Sequence, residues 1–260
     1  MADAVVRQRN IGWPQRLWVI RHGESAGNLA RDRAEASGAA LIELQHRDAD
    51  VPLSVLGLEQ AQALGAWMRD LPAELRPTTF LASPYKRARE TTYAVAEAVG
   101  RSAQDVLVDE RLREKEFGVL DRYTRAGIRE KFPELAEQRR LVGKFYFRPP
   151  GGESWCDVVL RLRSALDTIN LHYPRERVLI VCHEVVVLCL RYLMECMTEE
   201  QVLSIAADHD VANCGITSYV YNRSAGRRGK MELKLFNFVA PLVEAGADVT
   251  TRRDVPAGAK

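Results

Sequence analysis

The sequence predicts an α/β fold: a three-layer sandwich with a largely parallel central sheet flanked by helices on both faces. Three observations predict it. Short apolar runs of strand type alternate along the chain with longer amphipathic stretches, the pattern of strands joined by crossover helices. The runs at residues 17–20, 79–82 and 178–182 are almost continuously apolar, as strands covered on both faces must be. Each run is followed at once by a polar cluster: Arg21 and His22, then residues 83–87, then His183 and Glu184.

Taken in order, residues 17–20 form a strand that runs straight into Arg21-His22-Gly23-Glu24-Ser25. Across residues 57–68, Leu58, Ala61, Leu64 and Met68 recur near helical spacing. The strand at 79–82 is stopped by Ser83-Pro84, and residues 86–99 read as a helix. Ser154 suits the N-cap of a helix reaching about Leu171, with Val158, Leu162, Ala165, Leu166 and Ile169 as its apolar face. The strand at 178–182 precedes a helix over 185–194, and further strands fall at 216–221 and 231–238. With no repeat and no interior linker, one domain is expected over residues 16–240. Residues 121–150, crowded with charge and aromatics, are its least regular part and are expected to form a lid or insertion. Residues 1–15 and 241–260 are expected to be flexible tails.

Composition narrows the function. The chain has 260 residues, 47% hydrophobic and 28% charged, with a net charge of +2. A nucleic-acid partner would require far stronger clustering of basic residues. The longest apolar run, at 178–190, is interrupted by His183 and Glu184, so no membrane span is expected. The first fifteen residues lack an apolar signal segment. Five cysteines, an odd number without a Cys-x-x-Cys pair, point to reduced thiols and a cytoplasmic protein. No zinc site, metal or cofactor is expected.

Ligands of open α/β sheets bind beyond the carboxyl ends of the strands. Two histidines and two arginines are delivered there from sequence-distant strands. Arginine's planar fork grips phosphate oxygens. A neutral imidazole, held through one nitrogen, can attack phosphorus with the other. A second imidazole adds positive charge where the transferring group concentrates its negative charge. A carboxyl group must then protonate the leaving oxygen. A small anionic phosphorylated molecule is the expected partner. Oligomeric state stays open, a dimer included.

Arg21-His22-Gly23-Glu24-Ser25 with Asn28 resembles the signature of the histidine phosphatase superfamily, in its phosphoglycerate-mutase-like branch. The resemblance continues in order through Asp50-Val51-Pro52-Leu53-Ser54 with Gly57 and Gln60, and Ser83-Pro84 with Arg87, Arg89, Glu90 and Thr91. It then takes in residues 111–118, Gly152-Glu153-Ser154, Val181-Cys182-His183 and Asn213, covering roughly residues 16–222. It implies that His22 becomes phosphohistidine and that Arg21, Arg87 and His183 bind the phosphate, with Asn28 as a further donor. It implies Glu114 as proton donor, later the base toward water. The backbone amide at Glu184 would also face the phosphate, at a position where many relatives carry glycine.

Within the family, mutases resemble one another in a tryptophan before the signature asparagine, where this chain has Gly27. Hydrolysis of the phosphohistidine is therefore preferred. Residues 144–154 resemble the matching stretch of fructose-2,6-bisphosphatases, which implies Arg140 and Lys144 as specificity residues of the lid. Two other sugar-phosphate contacts of those enzymes are replaced here by Glu184 and Leu188. The expected activity is metal-independent hydrolysis of a small phosphate monoester, with a sugar phosphate among the candidates. Two alternatives stay open: a cofactor-dependent phosphoglycerate mutase, and a non-catalytic phosphate-binding or docking module on the same fold.

Overall fold

The computed structural model describes residues 12–227 and 229–251. Six strands form one sheet: β1 (Arg16–Arg21), β2 (Thr79–Ala82), β3 (Val106–Val108), β4 (Arg177–Cys182), β5 (Ile216–Asn222) and β6 (Lys230–Phe238). Their spatial order is β3-β2-β4-β1-β5-β6. The first four run parallel, while β5 lies antiparallel to β1 and β6 antiparallel to β5. The helices are α1 (Ala26–Ser37), α2 (Val55–Asp70), α3 (Lys86–Ala98), α4 (Arg125–Lys131), α5 (Pro133–Val142), α6 (Trp155–His172), α7 (Glu184–Met194), α8 (Glu199–Asp208) and α9 (Ala240–Glu244).

The strand period of two divides the core in half. Leu17 and Val19 of β1, with Val178 and Ile180 of β4, pack on one face against α6 and α7 through Leu162, Leu166, Val187 and Leu190. Trp18 and Ile20, with Leu179 and Val181, face the other way, onto Leu64 and Met68 of α2 and Val95 and Ala96 of α3. This is the expected three-layer sandwich, with the parallel part confined to β1–β4, three of which end in the polar clusters. No helix among the described residues is long and apolar enough to cross a membrane.

Two expectations need correction, and one strand goes unread in the sequence. Residues 121–150 hold two helices, α4 and α5. Thr124 caps α4 through the amide of Gly127, Pro133 begins α5, and Leu120, Ile128 and Phe147 form a small core of their own. Their apolar positions are too few for either helix to show a strong period. The C-terminal segment is tied down as far as residue 251: Leu242 is buried in the α2–α3 core, and Asp248 and Thr250 are hydrogen-bonded to residues of the main body. Residues 252–260, and residues 1–11 of the expected N-terminal tail, lie outside the described residues. The short edge strand β3 escapes a pattern reading because only Val106 of its three residues is buried.

Candidate active site

The carboxyl ends of the parallel strands converge. Arg21 ends β1 and His22 follows it; Arg87 stands in the first turn of α3 after β2; His183 links β4 to α7. Glu114 comes from the turn after β3, whose start is fixed by the Asp109 amide bonded to the Ala82 carbonyl at 3.0 Å. All five side chains are almost wholly buried. Sequence-distant residues therefore do meet at one rim.

His22 is the most tightly defined of them. Its Nδ1 lies 2.7 Å from the carbonyl oxygen of Gly23. A carbonyl only accepts, so Nδ1 carries the proton and Nε2 presents its lone pair. The Nε–H of Arg87 is 3.2 Å from that Nε2. The loop beneath is held from every side. The Gly23 amide donates to Thr91 Oγ1 at 3.0 Å, Thr91 donates to the Arg87 carbonyl, and Asn213 Nδ2 donates to the His22 carbonyl at 3.1 Å. Backbone also meets backbone: a Cβ on Gly57 would stand 1.9 Å from the Glu24 carbonyl oxygen, so only glycine lets α2 approach this closely.

His183 Nε2 is 2.7 Å from Ser83 Oγ, and its Nδ1 is 3.9 Å from Glu114 Oε2. The rings of His22 and His183 meet edge-on with centroids 5.1 Å apart. Tyr85 packs against His183 at 5.0 Å and beneath the Arg87 guanidinium at 5.0 Å. Burial, followed by the charges of Glu116 and Asp48, pushes the Tyr85 phenol upward, so it stays protonated and donates to Glu116 Oε1 at 3.1 Å. Arg21 donates to the Val211 carbonyl through Nη1. Glu114 accepts from the Lys115 amide at 2.7 Å. The segment carrying it is anchored by Glu153, which pairs with Arg113 and Arg161 at 2.7 and 2.9 Å and accepts from the Glu116 amide at 3.1 Å. Arg161 also donates to the Glu114 carbonyl at 3.2 Å. Gly118, at φ +56°, closes the far end of this segment over Pro150, where a Cβ would stand 2.1 Å from the carbonyl.

The remaining expected residues divide. Ser25 caps α1, and the side chain of Asn28 completes a capping box with it: its Oδ1 accepts from the Ser25 amide at 2.9 Å and from Ser25 Oγ at 2.8 Å. Glu184 is half-buried in the first turn of α7. Arg140 does not face this rim as expected. It is exposed and pairs with Glu137 one turn away at 2.6 Å. Lys144 lays its ammonium over the Trp155 ring at 5.3 Å.

Two cations not singled out from the sequence lie closer. Lys115 is buried beside Glu114, with its ammonium 4.4 Å from the Phe117 ring centre. Burial brings its pKa down to about 8, against the opposing pull of Glu114 and assisted by the charge of Arg139. Arg139 is itself depressed, by burial and then by Arg125. The signal available was adjacency: Lys115 follows Glu114, and Arg139 precedes Arg140. Helical phase decides which of a paired Arg-Arg faces inward, and that phase needs the end of α5 to be known. Asp48, whose carboxylate pairs with Arg87 at 3.0 Å, was also missed. Among the described residues no group of three or more His, Cys, Asp or Glu is placed to hold a metal ion.

The geometry brings the His22 imidazole with its Nε2 lone pair, the Arg87 guanidinium, a second imidazole and a carboxyl group into one buried site, with Arg21 buried at the end of β1. Comparison with known proteins gives the same direction. The family model described as histidine phosphatase superfamily (branch 1) matches residues 17–232. A phosphoglycerate mutase-like protein of Arabidopsis thaliana is 32% identical over 165 residues, 60% of this chain and 53% of that protein, so the chain spans about half that relative's length. A 2,3-bisphosphoglycerate-dependent phosphoglycerate mutase of Sinorhizobium fredii is 31% identical over 196 residues, 73% of this chain and 83% of that protein. Among solved structures, a mycobacterial glucosyl-3-phosphoglycerate phosphatase with inorganic phosphate superposes with a TM-score of 0.64 at 23% identity, covering 87% of this chain and 99% of that one. That last likeness shows the fold.

Proposed function

The chain belongs to the histidine phosphatase superfamily, branch 1, and on that premise we propose that it hydrolyses a small anionic phosphate monoester through a phosphohistidine at His22. The observation that carries this reading is the Nδ1–H to Gly23 carbonyl bond, which turns the Nε2 lone pair toward Arg87. In the first step Nε2 attacks phosphorus, the ester P–O bond breaks, and the leaving oxygen takes a proton from Glu114. Arg21, Arg87 and His183 hold the phosphoryl oxygens as negative charge builds on them, with Asn28 and the Glu184 amide as further donors. In the second step Glu114 takes a proton from water, the hydroxide attacks phosphorus, the P–N bond breaks, and inorganic phosphate leaves.

Lys115 and Arg139 supply positive charge next to Glu114, where the rest of the substrate would extend, and so favour a substrate carrying a second anionic group. They take over the part expected of Arg140. Lys144, stacked on Trp155, keeps a place in the lid. None of the five cysteines is joined in a disulfide, in keeping with a cytoplasmic setting.

Phosphate release from p-nitrophenyl phosphate in EDTA, compared with His22→Ala, tests this reading. The wild type is expected to turn over and to form an acid-labile, base-stable phosphoenzyme that the variant lacks. Absence of turnover on any ester would instead support a binding module. The mutase reading is favoured by the Sinorhizobium fredii relative. Against it stands Gly27, at the position where those mutases resemble one another in a tryptophan; a Cβ there would lie 3.3 Å from a Val51 methyl carbon and 3.5 Å from Ser25 Oγ, so a larger side chain would have to displace them. Interconversion of 2- and 3-phosphoglycerate after priming with bisphosphoglycerate, without phosphate release, would establish the mutase.

A further inference from the structure

We infer that Asp48 is a positioning residue: its carboxylate clamps the guanidinium of Arg87 so that the Nε edge, and not the terminal edge, meets the phosphoryl group. The inference rests on Arg87 belonging to the phosphate site proposed above. A guanidinium has two edges that can each make a paired interaction, the terminal one through Nη1 and Nη2 and the lateral one through Nε and Nη2. Asp48 takes the terminal edge. Arg87 Nη1 donates to Asp48 Oδ1 at 3.0 Å and to the Asp48 carbonyl at 2.6 Å, and Nη2 donates to Oδ2 at 3.3 Å. The lateral edge is turned to His22, with Nε 3.2 Å from the Nε2 lone pair. A phosphoryl group accepted by that lone pair must sit within reach of the same edge.

The clamp is itself braced. Asp48 stands in a single turn, residues Asp48–Asp50, on the connection between α1 and α2. Its carbonyl also accepts from the Val51 amide at 3.3 Å, and Val51 is buried. On either side, Arg122 donates to the His46 carbonyl at 2.8 Å, and the Leu53 amide donates to Glu90 of α3 at 2.8 Å. Asp48 thus joins this connection to α3 at the arginine whose Nε–H meets His22 Nε2. Below, the Tyr85 ring supports the flat face of the same guanidinium.

Two effects of a carboxylate here oppose each other. Its negative charge repels an incoming phosphoryl group, and its geometry holds Arg87 ready for that group. The Arg87 side chain is 3% exposed, whereas that of Asp48 is 22% exposed. Water therefore screens the repulsion, and the paired guanidinium already offsets the charge. Orientation within the buried site has no such screening, so positioning outweighs repulsion.

The test uses the whole chain and orthovanadate, a phosphoryl mimic, as probe. Asp48→Ala is expected to weaken vanadate inhibition about tenfold and to lower kcat/KM by a similar factor. Asp48→Asn, which keeps one side-chain acceptor and the backbone carbonyl, is expected to recover most of both losses. In an Arg87→Ala background the effect of Asp48→Ala is expected to vanish. Should Asp48→Ala fail to fold, Asp48→Ser, whose hydroxyl is too short to span the guanidinium, replaces it in the same cycle. Vanadate bound by Asp48→Ala or its stand-in as tightly as by the wild type or more tightly, or an undiminished effect without Arg87, would overturn the inference. A wild-type protein that neither turns over esters nor binds vanadate would overturn the functional reading instead.

Discussion

Thr250 Oγ1 donates to Asn213 Oδ1 at 2.9 Å, and this contact joins the C-terminal segment to the backbone of His22. Asn213 Nδ2 bonds the His22 carbonyl at 3.1 Å, Gln60 Nε2 donates to Thr250 Oγ1 at 3.0 Å, and Gln60 Oε1 accepts from the Glu24 amide at 2.9 Å. His22 and Glu24 are therefore spanned by a chain of side chains that closes through a residue near the C-terminus.

Replacing Thr250 with valine removes a donor and an acceptor from that chain at nearly constant volume. At about 1 kcal/mol for each lost bond, it is expected to lower Tm by about 5 °C and kcat by about threefold. Thermal melts and p-nitrophenyl phosphate kinetics read both. An unchanged kcat with a lowered Tm would confine the link to stability.

A proton donor matters in proportion to the basicity of the leaving group. Glu114→Gln is expected to cut kcat/KM, which reports the phosphorylation step and not the later attack by water, about 100-fold or more for an alkyl phosphate and much less for p-nitrophenyl phosphate, whose phenolate departs without a proton. Equal losses on both esters would remove Glu114 from that role.

Lys115 gives a dependence on pH. It is protonated below about 8 in the folded protein, so its cationic fraction falls from about 90% at pH 7 to about 10% at pH 9. KM for a phosphate ester bearing a carboxylate is expected to rise roughly tenfold over that range. Lys115→Arg, whose charge persists, is expected to flatten the rise. Stability carries the opposite sign. The unfolded chain holds this proton up to the ordinary lysine value of about 10.5, so between about 8 and 10.5 the unfolded state binds more protons and this group's contribution to stability grows with pH. Lys115→Met is expected to raise Tm at pH 7 by about 3 °C while raising KM.

The adjacent arginines of α5 are expected to behave differently. Arg140→Ala breaks only an exposed pair with Glu137 and is expected to leave KM within about twofold. Arg139→Ala removes a charge near Lys115 and is expected to raise KM about tenfold with kcat little changed. The reverse outcome would restore Arg140 to the specificity role.

Much of this protein was decided by the sequence alone. Apolar runs ending in Arg21-His22, residues 83–87 and His183 required a parallel sheet with its charge at one rim, because strands buried on both faces can expose polar groups only at their ends. The resemblance of the ordered blocks to the family is what pointed to Glu114 and Asn213. The tertiary structure alone decided the tautomer of His22, the inward face of α5, the burial that lowers Lys115, and the contacts of Asp48 and Thr250 with the site. Each depends on distances between segments remote in sequence: Asp48 from Arg87, Lys115 from Arg139, and Thr250 from Asn213. No periodicity records such distances, because helical and strand patterns report which face a residue takes, not which partner the fold brings to it.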